Sequence, residues 1–198
     1  MPALRTCCPE QPLANMTEPA PLARQLTWWA LAFPATLFAA LAVHSLYLLD
    51  WIHVLSGALW TGADLFMGFI LGPVLRRLEP SARTAVITYL VPRTLLFFPM
   101  VSLTASMAGW FLAVKLGFLA HGSPLRPWVI FALAMVLVMT LIGLGILLPN
   151  SFRIWRELGR PAPNRERIVR LNGINLRLAG LQGLMQVTII LVMAHFVF

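Results

Sequence analysis

Five stretches of the chain are apolar at nearly every position, with polar or arginine-rich segments between them. They cover residues 25–46, 49–75, a third with an apolar core at 94–119, 127–148 and 168–198. Each apolar core is near the roughly 20 residues that a bilayer requires of a spanning helix. Proline and serine punctuate the pattern. Pro34 falls inside the first stretch, where it predicts a kink. Ser81 is an N-cap candidate for the third helix, and Pro92 and Pro99 are placed to bend it. Pro149-Asn150 is expected to stop the fourth. Residues 1–23 are polar, rich in proline and without helical period, which predicts a disordered tail. The first apolar run starts too late for a signal peptide and more spans follow it. The expected architecture is therefore all-α. A tail at 1–23 precedes a polytopic membrane helix bundle at 24–198 of about five transmembrane helices, a four-helix unit plus an N-terminal span.

Composition agrees with this reading. The chain is 59% hydrophobic and 11% charged, with a mean hydropathy of +0.80. A soluble domain carries about 25% charged residues. The net charge of +8 does not point to nucleic acid, because the basic residues flank the apolar runs and so report topology. Cys7 and Cys8 are adjacent in the tail with no other cysteine to pair with, so no disulfide framework is expected.

The arginines orient the bundle. Arg76, Arg77 and Arg83 separate the second and third stretches, and Arg153, Arg156, Arg160, Arg165, Arg167 and Arg170 surround the link from the fourth to the fifth. Arg5 and Arg24 precede the first. The opposite side has only Lys115 and Arg126. The positive-inside rule then places the N-terminal tail and the arginine-rich links in the cytoplasm and the C-terminus outside, in a bacterial inner membrane. All four histidines, His44, His53, His121 and His195, fall toward the outer side.

The second stretch holds the candidate chemistry. His53, Gly57, Trp60 and Asp64 fall on one face at about 100° per residue. His53 is a candidate axial ligand for haem, which needs an imidazole in an apolar pocket of the kind a helix bundle supplies. Gly57, one turn below, would let a porphyrin face approach the backbone, with Trp60 as an aromatic wall. His195 is the candidate second ligand by depth, although it projects nearly opposite Gln186 on its helix. Asp64 lies near the bilayer centre, where a charge costs at least a few kcal/mol. It is a candidate for proton transfer or for bonding a cofactor or quinol. The alternative is an interhelical clamp, with Arg93 or Arg177 as the partner. Asn172, Asn175, Gln182 and Gln186, interspersed with Gly173, Gly180 and Gly183, read as a helix-packing face. Met100, Met107, Met135 and Met139 stand at helical spacing, which suits either a packed core or a Cu(I) path.

The run Asp50-Trp51-Ile52-His53-Val54-Leu55-Ser56-Gly57-Ala58-Leu59-Trp60-Thr61-Gly62 resembles the opening helix of small bacterial membrane proteins of the CopD/HemJ-like group. Ile52 stands where that pattern has leucine. Arg93, Pro99 and Gly109 resemble the helix that follows, and the likeness extends over residues 48–198. It implies a haem b bundle for the HemJ type, a protoporphyrinogen oxidase, and copper uptake for the CopD type, with the family histidine at His53. The HemJ-type lysine has no counterpart at Arg126-Pro127-Trp128, a departure that counts against oxidase activity.

The leading expectation is a b-type haem electron-transfer protein with its haem near the extracytoplasmic face. Its expected partners are the lipid bilayer, a quinol or an extracytoplasmic redox protein, and a larger membrane complex. The alternatives are a cofactor-free accessory or structural membrane subunit, and copper transport.

Overall fold

The computed structural model describes residues 22–194. Within them the fold is an all-α bundle. After a helical turn at Leu22–Gln25 come α1 (Trp28–Ala42), α2 (Leu46–Arg77), α3 (Pro80–Lys115), α4 (Arg126–Leu158) and α5 (Arg165–Ala194). The helices α2 to α5 are each long and apolar enough to cross a membrane. Residues 1–21, which hold most of the predicted tail with Cys7 and Cys8, lie outside the described residues, as does His195.

The first apolar stretch makes a shorter helix than its hydropathy predicts. It is a 3₁₀ turn over Trp28–Leu31 and α-helical over Ala32–Ala42. At about 1.5 Å per residue it falls short of a hydrocarbon core about 30 Å thick. Its start is pinned partway along α3. Thr27 Oγ1 donates to the Arg93 carbonyl at 2.8 Å, and the Trp29 ring packs on Phe97 at 5.7 Å. Pro34 is the third residue of the α-helical part, where its missing N–H costs little, and the helix continues through it unbroken.

The expectation for Pro149 changes for a reason that also operates at Pro73. In α2 the residues Phe66–Leu71 form a π-turn, and in α4 Gly143–Leu147 do the same. Each ends two residues before a proline, Pro73 and Pro149. A proline in a helix removes one N–H donor and crowds the carbonyl four residues earlier. The wider turn takes up that crowding: Gly72 N–H reaches back to Met67 O and Leu148 N–H to Gly143 O. Pro149 therefore does not stop α4, which runs on to Leu158 and buries Asn150, Ile154 and Glu157. At the start of α3, Glu79 is the N-cap residue and Pro80 opens the first turn, with Ser81 already inside the helix.

Packing centres on α2, which lies mainly against α3 and α5, while α1 packs on both α2 and α3. The approach to α5 is closest where Gly68 and Gly180 meet. A Cβ on Gly68 would overlap the Gly180 backbone, and one on Gly180 would lie 3.2 Å from Gly68 Cα. Small residues at this crossing let the two backbones touch, as membrane helices do. One apolar cluster joins Phe33 and Leu37 of α1 to Leu49, Ile52, Trp60, Val101 and Met139. A second, at the arginine-rich end, joins Ile87, Val91, Ile154 and Ile168. Large apolar side chains also cover the outside, among them Phe38, Phe69, Leu141 and Leu191. A bundle apolar on its outer surface as well as in its core is suited to lipid. Trp28, Trp29, Trp51, Trp110 and Trp128 face outward, whereas Trp60 is buried.

Candidate functional site

A cavity of about 100 Å³, walled mostly by apolar side chains with a few polar groups among them, lies between the two apolar clusters. Trp60 and Asp64 of α2 border it, with Ser102 and Ser106 of α3, Thr140 of α4 and Asn172 and Gln182 of α5. The buried face of α2 is Leu49, Ile52, Ser56, Trp60 and Asp64. That spacing carries Asp64 into the bundle, where it is 1% exposed. Gln186 Nε2 donates to Asp64 Oδ2 at 2.8 Å, and the Trp60 side chain lies beside the same carboxyl group. Neither predicted arginine partner takes part. Arg93 is exposed and donates to its own helix at Tyr89 O, 2.9 Å away. Arg177 is also exposed and borders a different cavity.

The amide stripe of α5 does bond across helices. Gln182 Nε2 donates to the Met139 carbonyl at 2.7 Å. Asn175 Nδ2 donates to Ser151 Oγ at 3.1 Å, and Asn175 Oδ1 accepts from Asn150 Nδ2 at 3.1 Å. Among the cavity hydroxyls, Ser106 donates to Ser102 O and Thr140 to Val136 O, both at 2.8 Å. Each hydroxyl is thus satisfied as a donor and keeps a lone pair free to accept. Gln186 Oε1 is buried without a hydrogen-bond partner. A cavity this size is large enough for water, and Ser102, Ser106, Thr140 and Asn172 are polar groups on its wall.

His53 sits elsewhere. The interval from His53 to Asp64 returns to nearly the same side of the helix but advances about 16 Å along it, and the neighbouring helix changes over that rise. His53 Nδ1–H donates to the Ala105 carbonyl of α3 at 2.8 Å. Its ring lies over Gly109, where a Cβ would come within 2.7 Å of His53 Cε1. The expected single face therefore divides. Trp60 and Asp64 border the cavity, His53 is seated against α3, and Gly57 opens onto space, with nothing within 4 Å of the position a Cβ would take.

The seat fixes the imidazole. The Nδ1–H bond to a backbone carbonyl fixes the tautomer and ring plane and leaves Nε2 as the donor atom, which is how ligating histidines are usually held. Gly57 is open at its Cβ position, and neither of the two cavities described for this protein is bordered by His53 or Gly57. Of the other histidines, His44 is exposed in the α1–α2 link at φ 53°, and His121 is exposed in the 116–125 link. Among the described residues, no group of three or more His, Cys, Asp or Glu side chains could hold a metal ion. Met107 is exposed, Met139 is fully buried, and Met100 and Met135 are half-buried.

No protein-family model matches the chain, and no curated protein or solved structure does either.

Three features of the site lie beyond the sequence pattern. Gln186 as the Asp64 partner is set by the Gly68–Gly180 crossing, which brings α5 against α2. Ala105 and Gly109 as the seat of His53 depend on the register of α2 against α3. The π-turns beside the cavity have a local signal after the fact, a Gly-rich segment followed by proline. Such turns concentrate at functional sites.

Proposed function

We propose that the protein is a multi-pass redox protein of the bacterial inner membrane, holding one b-type haem on His53 near the outer surface. It exchanges electrons with a quinol or an extracytoplasmic redox protein, as a subunit of a larger membrane assembly. The observation that carries this reading is the seated imidazole: Nδ1–H on the Ala105 carbonyl, the ring against Gly109, and Nε2 left to ligate. The resemblance of residues 50–62 to the CopD/HemJ-like group supports the same residue. Haem bound there supplies one-electron transfer. The protein's own contribution is to fix the imidazole, to exclude water with the Phe33–Leu49–Val101 cluster, and to hold Asp64 and Gln186 where a hydroxyl or a proton can be bonded. The arginine-rich ends of α2, α4 and α5 lie in the cytoplasm in this reading, and the 116–125 link lies outside.

The test is a reduced-minus-oxidised spectrum and pyridine haemochrome assay of the purified protein. A Soret band with split α/β bands, lost in His53→Ala and kept in His121→Ala, is the expected result. Equal haem content in wild type and His53→Ala overturns the site.

A second reading is a cofactor-free accessory subunit. It is favoured by the Asp64–Gln186 bond, which joins α2 to α5 without any ligand. Wild-type protein that contains no haem leaves that reading in place.

A further inference from the structure

A second cavity, of about 250 Å³, opens where α2, α3 and α5 converge at the arginine-rich end of the bundle. Four guanidinium groups border it: Arg76 from the end of α2, Arg83 from the first turns of α3, and Arg170 and Arg177 from α5. Its lining includes no carboxylate. The ion pairs found among the described residues both go to Glu157, from Arg160 and Arg167, so they leave these four charges uncompensated. Like charges around one partly enclosed space repel, and the repulsion grows as water is excluded. An anion in the cavity removes that penalty.

Arg83 gives the arrangement direction. Its Nη2 donates to Arg76 O at 2.8 Å and Leu78 O at 3.2 Å, across the turn between α2 and α3. Those bonds hold the planar group in place. Its Nε, however, is buried with no acceptor. A buried N–H donor is nearly always paired in a folded protein, and Nε shares the edge of Nη2, so an oxyanion oxygen that bonds Nε would lie beside the bonds that fix the group. Arg76, Arg170 and Arg177 are exposed and can close over such a ligand. Gly173 leaves the α5 side open, since a Cβ there would meet nothing within 4 Å.

We propose that this cavity is a binding site for a phosphate group, held by Arg83 and closed over by Arg76, Arg170 and Arg177. It lies where spanning helices leave the apolar zone, the level at which basic pockets between helices bind phospholipid headgroups. The same chemistry would take free phosphate from the aqueous side. The proposal does not depend on haem at His53. Asn172 borders this cavity and the one containing Asp64, so an occupant here lies one side chain from the polar centre of the bundle.

The test uses the full chain purified in a neutral detergent. Thermal stability is followed in three titrations at matched ionic strength: inorganic phosphate, mixed micelles of phosphatidylglycerol, and mixed micelles of phosphatidylcholine as the zwitterionic control. Each is repeated with Arg83→Gln, Arg170→Gln and Arg177→Gln. A saturable rise in melting temperature with phosphatidylglycerol alone identifies a lipid headgroup, a rise with phosphate alone identifies a soluble anion, and a rise with both shows that either source reaches the site. In each case the apparent affinity falls by about fivefold per arginine removed. Arg170→Gln and Arg177→Gln alter exposed side chains, so they keep the test decisive if Arg83→Gln does not fold. No saturable effect of either anionic probe, or equal affinity in wild type and both α5 variants, overturns the proposal.

Discussion

Gln186 donates its amide to the Asp64 carboxyl group at 2.8 Å, joining α5 to α2 across the middle of the bundle. The bond is one-sided, because Gln186 Oε1 is buried and has no partner. An asparagine at position 64 would keep an acceptor for Gln186 Nε2 and add a donor for Oε1. Asp64→Asn is therefore expected to melt at or above the wild-type temperature. Asp64→Leu removes the acceptor and strands the whole amide, at a cost of about 1–3 kcal/mol. Adding Gln186→Leu to Asp64→Leu should recover part of the loss. Thermal unfolding of the four proteins in one detergent checks this, and a leucine variant as stable as wild type would show that the contact holds nothing.

The Gly68–Gly180 contact gives a prediction that composition alone does not. Gly62 and Gly68 both lie on α2 six residues apart, yet their surroundings are opposite. A Cβ at Gly62 meets nothing within 4 Å, while one at Gly68 overlaps the Gly180 backbone. Gly62→Ala should be neutral or stabilising, by up to about 1 kcal/mol from helix propensity. Gly68→Ala must push α2 and α5 apart, at about 1–3 kcal/mol. Equal melting temperatures for the two variants would mean that the crossing is not tight.

Much of this architecture is legible in the residue pattern, because burial in a bilayer demands long apolar runs and the arginines mark their ends. The amide stripe of α5 is legible as an interface for a similar reason, since Gln182 and Gln186 can only be satisfied by another helix. Hydropathy does not report length in structure. The first stretch is apolar enough to span, but Thr27 and Trp29 anchor it at Arg93 and Phe97, partway along α3. Helix-stopping rules fail at Pro149 because a π-turn absorbs the clash one turn earlier. The division between His53 and Asp64 is also hidden from a helical wheel, which shows direction around one helix but not which neighbour stands there.

At the arginine-rich end, Glu157 is 4% exposed and holds the link between α4 and α5. It accepts from the Asn164 backbone N–H at 3.2 Å and pairs with Arg160 at 3.0 Å and Arg167 at 3.5 Å. Replacing it with alanine leaves these donors to water and frees residues 159–164. Because both arginines are about half exposed, the stability cost should be modest, about 1 kcal/mol. The clearer readout is local: trypsin should cleave after Arg165 or Arg167 severalfold faster in Glu157→Ala than in wild type. Unchanged cleavage would mean that the link is held by something other than Glu157.

The seat of His53 can be altered without touching the histidine. A side chain at Gly109 must enter the space of the imidazole, since even its Cβ would lie 2.7 Å from Cε1 and 3.1 Å from Nδ1. Gly109→Val should therefore turn the ring away from the Ala105 carbonyl and release Nδ1–H. If His53 ligates haem, its fixed orientation is worth about 10–100-fold in affinity, and Gly109→Val should lower haem content nearly as far as His53→Ala does. Gly57→Leu separates this effect from packing. Position 57 has nothing within 4 Å of a Cβ, so leucine there should change the melting temperature of haem-free protein little while obstructing a porphyrin face. Haem loss in both variants, with stability lost only in Gly109→Val, fits a ring lying between His53 and Gly57. Full haem content in Gly57→Leu would place the porphyrin on another side of His53, and full content in Gly109→Val would mean that the histidine seat has no part in binding it.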